Sequence, residues 1–592
     1  MEMMHTRHIS SLLLLAAATA LPAAAQYDQD INVEGKYVPE YIQHDRIGIF
    51  PRPIRFEAAK SSLSYSLGGV NADFTPQALP LQATGWRTAR RLSDTRGYVE
   101  LGLGSYLQST LSAGYRIIDT PLSALGVRLQ HNSTSLWRPK LSASTHDSRM
   151  WRYDESLGVY GHHTFEGKGR LDAALDYHIG NFDYYGCYAV FGEIDGGPSL
   201  QQLDVPTQTL NDVSARVAWH STPAIDDLSW NVGARVRYFG YRSLYDTGNG
   251  LAGLHARSTG GRETHAAVDA GIDFPTSTSS AVGITLDADL LAYGDYEPRG
   301  VYGLDNAETP GTYGMVTLTP YYRLTRQRLS LRIGAQVDIA ANARDGADRY
   351  RTFHIAPDVR LDYNAGPVSL FARATGGSEL HTLAAGYELD YYQMPAIFDT
   401  KPVYTPVDAQ AGVSFGPFSG FHAGFDVAWR MSRGQYFGGW YATCAATDGQ
   451  RLNLHGWSAG INAGYDAGRI FKVTAEGRWQ RQRGTTGYFN GYDRPEWTVD
   501  AAIESNPGRL GLRLEYKFRA MRMMTMPLAF ADGEETYRLP NLSMLGLGVS
   551  YRITDSFDVW AQADNLLCRR NYTLPGLPEP RLRLAAGLGL RF

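Results

Sequence analysis

The sequence predicts an all-β protein, a transmembrane antiparallel β-barrel of about 22 strands (range roughly 18–24) that follows a short, extended N-terminal periplasmic segment. Three observations support this: a secretory signal, a two-residue alternation of apolar and polar residues, and short turns that alternate with long connections. After the signal, no apolar run reaches the roughly 18 to 20 residues that a membrane-spanning helix requires. We therefore expect the chain to cross the membrane as strands.

The N-terminus has the three parts of a cleaved signal peptide. Met1–Ser10 contains Arg7, Ser11–Ala20 is a run of mostly Leu and Ala, and Ala23–Ala25 provides small residues for cleavage before Gln26. No Cys follows the predicted cleavage site, so a lipoprotein anchor is not expected. The signal predicts export, and with the strand pattern below it predicts the outer membrane of a Gram-negative cell.

Composition agrees with a barrel and excludes other classes. The mean hydropathy of −0.29 is low for a membrane protein, but a barrel strand alternates lipid-facing apolar residues with polar residues facing the lumen. The 37 Tyr, 11 Trp and 63 Gly suit aromatic girdles and close strand packing. A net charge of −4 indicates no nucleic-acid partner, and three Cys are too few for a disulfide scaffold.

The alternation is clearest near the C-terminus. One face of the last segment carries Leu582, Leu584, Ala586, Leu588, Leu590 and Phe592, while the other carries Arg581, Arg583, Ala585, Gly587, Gly589 and Arg591. Gly508–Arg519 repeats this pattern, with basic residues on one face. A water-filled lumen accepts such cations, whereas the interior of a soluble β-sandwich does not.

Short links rich in turn-forming residues give the strand number. They are Ile118–Thr120, Glu166–Gly169, Ser221–Asp226, Pro275–Thr278, Thr325–Gln327, Asn364–Pro367, Gly416–Pro417, Asp466–Gly468, Ser505–Gly508 and Thr554–Ser556. Longer stretches lie between them, such as Tyr241–Arg262, Gly294–Gly311, Gly376–Tyr404, Met431–Leu452 and Met521–Arg538. About ten periplasmic turns join about eleven hairpins, which gives roughly 22 strands.

The end of the chain predicts how the barrel is assembled. Leu588, Leu590 and Phe592 form an alternating apolar face that ends on an aromatic residue. We interpret these three residues as the signal that barrel-assembly machinery reads. That machinery and outer-membrane lipid are therefore expected partners.

The last forty residues resemble the closing strands of TonB-dependent receptors. The resemblance rests on Asp564-Asn565-Leu566-Leu567, Asn571-Tyr572, Pro575-Gly576, Pro578 and the strand Leu582–Phe592. It implies a 22-strand barrel, in agreement with the turn count. It covers the barrel, but its motifs are specific at the C-terminal end alone.

The domain organisation differs from that of the family at the N-terminus. We assign residues 1–25 to the signal peptide, 26–95 to an extended periplasmic or lumen-associated segment, and 96–592 to the barrel. Residues 26–95 are about half as long as the family's plug and contain several Pro and Arg. The resemblance therefore describes a barrel without a recognisable plug, and it leaves open whether TonB is a partner.

Candidate sites are few. We expect no catalytic, cofactor-binding or metal-binding residues, and the ligand-binding residues stay unknown. The adjacent His162 and His163 would point to opposite faces of a strand. Loop carboxylates at Glu193, Asp195, Asp295, Glu297, Asp305 and Glu308 could bind a divalent cation, but they show no ordered motif and fit solvated loop residues as well. Loop aromatics could stack on a sugar or peptide or serve in packing: Tyr387, Tyr391, Tyr392, Phe437, Trp440 and Tyr441.

Two functional classes follow, and neither is an enzyme. The first is a transport, receptor or pore barrel at the outer membrane. The alternative is a plugless structural or assembly-platform barrel that works with a lipoprotein or periplasmic partner. Ligand uptake would favour the first class, and stable co-purification with envelope proteins the second.

Overall fold

A computed structural model shows a closed antiparallel barrel of 22 strands. The structure describes residues 95–592, except for parts of the connections: 139–147, 184–187, 195–196, 203–206, 222–227, 247–254, 260, 295–311, 346–347, 390–401, 439–448, 469, 485–486, 489–493, 528–533 and 575–576. The signal peptide and nearly all of the 26–95 segment lie outside the described residues. The predictions made for them are therefore not addressed by the fold.

The barrel strands follow one another in chain order, each paired with its neighbours. The first eleven are β1 Gly97–Gly104, β2 Gln108–Asp119, β3 Ser123–Arg138, β4 Ser148–Phe165, β5 Gly169–Asp183, β6 Thr207–His220, β7 Ser229–Tyr241, β8 Arg262–Ser277, β9 Ser280–Gly294, β10 Tyr313–Arg326 and β11 Leu329–Asp345. The others are β12 Asp348–Asn364, β13 Val368–Glu379, β14 Val403–Phe418, β15 Phe421–Gly438, β16 Gly449–Asp466, β17 Lys472–Gly484, β18 Trp497–Ser505, β19 Leu510–Ala520, β20 Leu542–Arg552, β21 Phe557–Asp564 and β22 Arg583–Arg591.

Smaller elements occur within the connections. The described residues contain one helix, α1, at Leu383–Leu389. None of the described helical segments is long and apolar enough to cross a membrane. Short strands in the connections are Tyr188–Ile194, Gly197–Gln202, Ser243–Asp246, His255–Thr259, Gly487–Tyr488, Met523–Pro527, Glu534–Arg538, Tyr572–Leu574 and Leu577–Pro578.

The two ends of the barrel differ, as the sequence predicts. Each predicted short link lies within or next to a connection from an even-numbered to an odd-numbered strand, and we call that side the turn end. The other side, with the longer connections, is the loop end. The strand number is confirmed, but the loop bounds were partly wrong. Because β15 runs to Gly438 and β16 starts at Gly449, much of the predicted loop Met431–Leu452 is strand that extends beyond the roughly 9 to 11 residues a membrane needs.

Side chains alternate between the two surfaces of the wall. In β22, Leu584, Leu588 and Leu590 are 46–52% exposed on the outside, while Arg583 is 6% exposed on the lumen side, so the predicted facing is confirmed. The outer surface of other strands likewise exposes apolar residues, for example Leu101, Leu157, Val236, Ile333, Phe425, Trp457 and Ile461. An apolar outside around a polar inside is the arrangement that a lipid-embedded barrel requires.

Ion pairs between residues of nearby strands line the lumen. Arg332 Nε lies 2.7 Å from Asp358 Oδ2. Across β16, Arg478 Nη1 on β17 lies 3.1 Å from Asp426 Oδ2 on β15. Pairing of this kind allows charged groups to face the lumen without an isolated buried charge.

The barrel closes where β1 pairs with β22 along Tyr98–Arg591 to Gly104–Ala585. The carbonyl of Phe592 accepts hydrogen bonds from the N–H groups of Arg96 and Gly97 at 2.6 and 2.7 Å. The Phe592 ring stacks on Tyr115 at a centroid distance of 6.3 Å. The last residue therefore belongs to the seam between the first and last strands, and its role as an assembly signal stays a prediction.

Candidate functional site

The candidate site is the inner wall at the loop end, where the chain that follows β13 turns into the lumen. Residues 380–388, which we call the mouth segment, run back along the wall from β13 past β11, β10, β9 and β8 to β7. Leu380 packs on the wall near β10, Leu383 is bound to β8, and Tyr387 reaches aromatic rings on β7 and β5. The mouth segment therefore narrows the lumen at this end.

A buried carboxylate fixes the start of the inward turn. Asp338 on β11 is 1% exposed and accepts the backbone N–H of Ser378 at 2.6 Å. The same carboxylate accepts the Thr317 hydroxyl at 2.8 Å and the Gln336 amide at 3.0 Å. Because its oxygens are used by three donors, Asp338 can hold the end of β13 firmly.

An apolar patch on the lumen wall receives the first residue of the mouth segment. Leu380 packs against a buried cluster contributed by β9, β10 and β11, namely Leu291, Tyr313, Met315 and Ala340. Apolar side chains facing a watery lumen would be unfavourable, and covering them removes that cost. The patch therefore explains why the chain turns inward instead of outward.

Two groups satisfy the first backbone donors of α1. The Thr382 hydroxyl accepts the N–H of Ala385 at 3.0 Å, as an N-cap residue does. Glu263 on β8, which is 1% exposed, accepts the N–H of Leu383 at 2.5 Å and also that of Ala384. A carboxylate at a helix N-terminus is favoured by the helix dipole as well.

Aromatic rings hold the far end of α1. Tyr387 lies 5.7 Å from Phe239 and 6.3 Å from both Tyr241 and Phe182, measured between ring centroids. Phe239 and Phe182 are 1% and 2% exposed. Burial raises the pKa of the Tyr387 phenol above its ordinary value, so this group stays neutral. Tyr387, predicted as a loop aromatic, is thus used in packing.

Arg237 lies between two carboxylates and adds a weaker contact to the mouth segment. Arg237 donates to both carboxylate oxygens of Asp212 at 3.0 and 2.8 Å, and its Nη2 also donates to Glu388 at 2.7 Å. The Glu388 side chain is 62% exposed, so this ion pair contributes little to stability. The carboxylate of Glu263 and the aromatic contacts are therefore the main attachments of the mouth segment.

Other predicted residues do not come together at a site. His162 and His163 lie on opposite faces of β4, and His163 contacts Ser123 on the outside. No group of three or more His, Cys, Asp or Glu side chains in the described ranges is arranged to hold a metal ion. The following candidates lie outside the described residues or have side chains that are not described: Glu193, Asp195, Asp295, Glu297, Asp305, Glu308, Tyr391, Tyr392, Phe437, Trp440 and Tyr441.

The Asn residues of the C-terminal motif have structural roles. The Asn565 amide donates to the carbonyls of Arg569 and Pro580 at 2.7 and 3.1 Å. Asn571 is 1% exposed and exchanges hydrogen bonds with the backbone N–H and carbonyl of Ser543. These two amides tie the β21–β22 connection to itself and to β20.

Sequence comparison gives no family. No protein-family model matches the chain, and no curated protein matches it. The fold must therefore be compared with solved structures directly.

Three solved barrels illustrate the similarity. The ferripyoverdine receptor of the outer membrane of Pseudomonas aeruginosa is 12% identical with a TM-score of 0.60, covering 85% of this chain and 72% of that one. The FrpB iron transporter from Neisseria meningitidis is 11% identical with a TM-score of 0.60, covering 85% and 82%. The copper transporter OprC is 12% identical with a TM-score of 0.55, covering 84% and 80%.

These comparisons establish the fold. The barrel is similar over most of its length to those of a receptor of the outer membrane and of two metal transporters. The 22-strand barrel that the sequence predicted is thereby confirmed as a fold. The prediction that residues 26–95 contain no plug falls outside the described residues.

Proposed function

We propose that the protein is an outer-membrane transport or receptor barrel, with its loop end outside the cell, which admits a solute past the mouth segment into the lumen. The proposal rests on one observation: the polar lumen is narrowed at one end by the mouth segment, which residues of the wall bind. A platform for other proteins would need no fixed constriction. The similar structures are described as transporters or receptors for iron, copper and ferripyoverdine, which supports a metal or metal chelate as the solute.

Uptake in cells tests the proposal. We expect cells that lack the protein to accumulate several-fold less radioactive iron or copper from at least one ferric chelate or copper salt in a panel, and a plasmid copy to restore it. An uncoupler that abolishes uptake would indicate an energised receptor and make TonB a partner, whereas insensitive uptake would indicate a passive pore. Equal accumulation with every solute, together with stable co-purification of a lipoprotein, would support the assembly platform instead.

We further propose that residues 26–95 occupy the lumen or its turn-end opening. A barrel of 22 strands encloses a wide lumen that would leak solutes if it were empty. The segment's end at Thr95 lies beside the lumen-facing Arg116, and the basic group Arg87, Arg90 and Arg91 would meet lumen carboxylates such as the buried Glu100. Contact of these arginines with lipid headgroups is the alternative.

Removal of residues 26–95 is therefore expected to raise single-channel conductance in planar bilayers. The control is a variant in which Arg87, Arg90 and Arg91 alone become Gln, because it keeps the length of the segment. An unchanged conductance after deletion, in protein that still shows heat-modifiable migration on gels, would mean that the segment lies elsewhere.

A further inference from the structure

The outer surface carries a row of Trp residues on four adjacent strands. Trp429 on β15 pairs directly with Trp457 on β16, and Trp479 on β17 pairs directly with Trp497 on β18. Trp457 and Trp497 are 57% and 47% exposed. Since Trp is favoured where hydrocarbon meets headgroups, this row marks the level of the membrane interface on this side of the barrel.

Basic side chains lie level with that row and on its loop-end side. Arg481 is the cross-strand partner of Trp457, and Arg483 is the cross-strand partner of His455, one side-chain row closer to the loop end. All three basic residues are exposed on the outer surface. Toward the turn end, the same surface becomes apolar, as at Ile461, which is 62% exposed.

One carboxylate lies nearby and orients part of this group. Glu496 accepts the indole N–H of Trp479 at 3.1 Å, and its Oε1 is 3.9 Å from Nε of Arg481. Among the described residues of this surface, basic side chains outnumber this carboxylate. By contrast, the outer surface of β3 and β4 near the loop end places Glu155 beside His131, at 3.3 Å.

We propose that Arg481, Arg483 and His455 bind the phosphate groups of a phosphorylated glycolipid in the outer leaflet, while the Trp row contacts its acyl chains. A guanidinium presents paired N–H donors that match phosphate oxygens. Basic groups level with an aromatic belt or directly above it stand at headgroup depth. The outer leaflet is assigned because the loop end faces outward in the proposed orientation, and the surface itself does not depend on which solute is transported.

The test is lipid binding by the purified full-length protein. Native mass spectrometry in mild detergent would compare bis-phosphorylated lipid A with the same lipid after phosphate removal. The double variant R481Q/R483Q is expected to bind bis-phosphorylated lipid A about 25-fold more weakly, at about fivefold for each basic side chain. The wild-type protein is expected to bind the dephosphorylated lipid as weakly as the double variant binds the intact one.

The matched control is R326Q/R328Q, which removes two exposed arginines of the same spacing at the turn end and should leave binding unchanged. If the double variant does not fold, the single variant R483Q replaces it and is expected to show a smaller loss of lipid binding. Equal binding by wild type and double variant, or no preference for the phosphorylated lipid, would overturn the proposal. Competition by inorganic phosphate at the lipid's own concentration would also overturn it, since it would indicate a free-anion site. The lipid-binding experiment does not measure solute uptake. A negative result would therefore overturn the lipid site and leave the proposed transport role unaffected.

Discussion

Replacement of Tyr387 by alanine is expected to widen the loop-end mouth and raise the conductance of the barrel. A helix of seven residues, such as α1, does not form by itself in water. Its stability comes from its contacts with the wall, and Tyr387 contributes three aromatic neighbours to them. Truncation of a packed aromatic side chain costs about 3–5 kcal/mol, enough to release a short helix.

The conductance should be recorded in planar bilayers, both in the full chain and without residues 26–95, so that the two proposed obstructions are separated. Tyr387→Phe is the matched control, because it keeps the ring and removes only the hydroxyl. Amide exchange of Leu383–Leu389 should quicken in the alanine variant and not in the phenylalanine variant. The strands themselves do not depend on Tyr387, so the urea midpoint of the barrel should hardly change.

Glu263→Gln tests the N-terminal end of α1, and conductance is again the quantity measured. The carboxylate accepts from the N–H groups of Leu383 and Ala384 and from Tyr293, whereas an amide has a single acceptor oxygen. We expect a smaller rise in conductance than for Tyr387→Ala, since one hydrogen bond can remain. If neither variant differs from wild type, the mouth segment is not the constriction.

The strands could be predicted from the sequence because their signals are local. Period-two alternation fixes which residues of β19 and β22 face outward, and Gly, Pro, Asn, Asp and Ser mark the turns. The number of strands follows from counting those turns. Strand length was underestimated at Met431–Leu452, because strands beyond the membrane lose the apolar face by which they are recognised.

The mouth segment could not be predicted, since its partners are distant in the chain. Leu383 binds Glu263, 120 residues earlier, and Glu388 binds Arg237, 151 residues earlier. No spacing rule connects such pairs. One local signal was present: Thr382 followed by Leu-Ala-Ala is a helix start, and it lay within a stretch that was predicted as loop. The wall residues Leu291, Tyr313 and Met315 also gave a hint, as apolar residues on a lumen face.

The closing seam is the second place where one substitution should have a large effect. On the lumen side, Gly587 of β22 pairs with Trp560 of β21 on one flank and with Gly102 of β1 on the other. The indole of Trp560 lies across both glycines, so a methyl group on either would meet the ring. A methyl group at Gly587 would also meet the backbone carbonyl of Leu101, which cannot move without shifting β1.

Gly587→Ala is therefore expected to weaken the pairing of β1 with β22 and to destabilise the closed barrel by about 3 kcal/mol. The measurements are the fraction of heat-modifiable protein after folding into detergent and the urea midpoint of the folded fraction. Gly477→Ala is the matched control in the middle of β17, because a methyl group there would lie 3.6 Å from its nearest neighbour, an ordinary contact. That variant should be neutral or slightly stabilised, since alanine restricts the unfolded chain.

Gly102→Ala separates the two obstacles at the seam. A methyl group at Gly102 would lie 2.7 Å from the Trp560 ring and 2.5 Å from the Thr110 hydroxyl, both of which belong to side chains. Adding Trp560→Ala should therefore recover much of the stability lost in Gly102→Ala, because the ring no longer has to move. The same addition should not recover Gly587→Ala, in which the Leu101 carbonyl remains. Equal recovery in both would show that the indole alone, and not the backbone of β1, limits the seam.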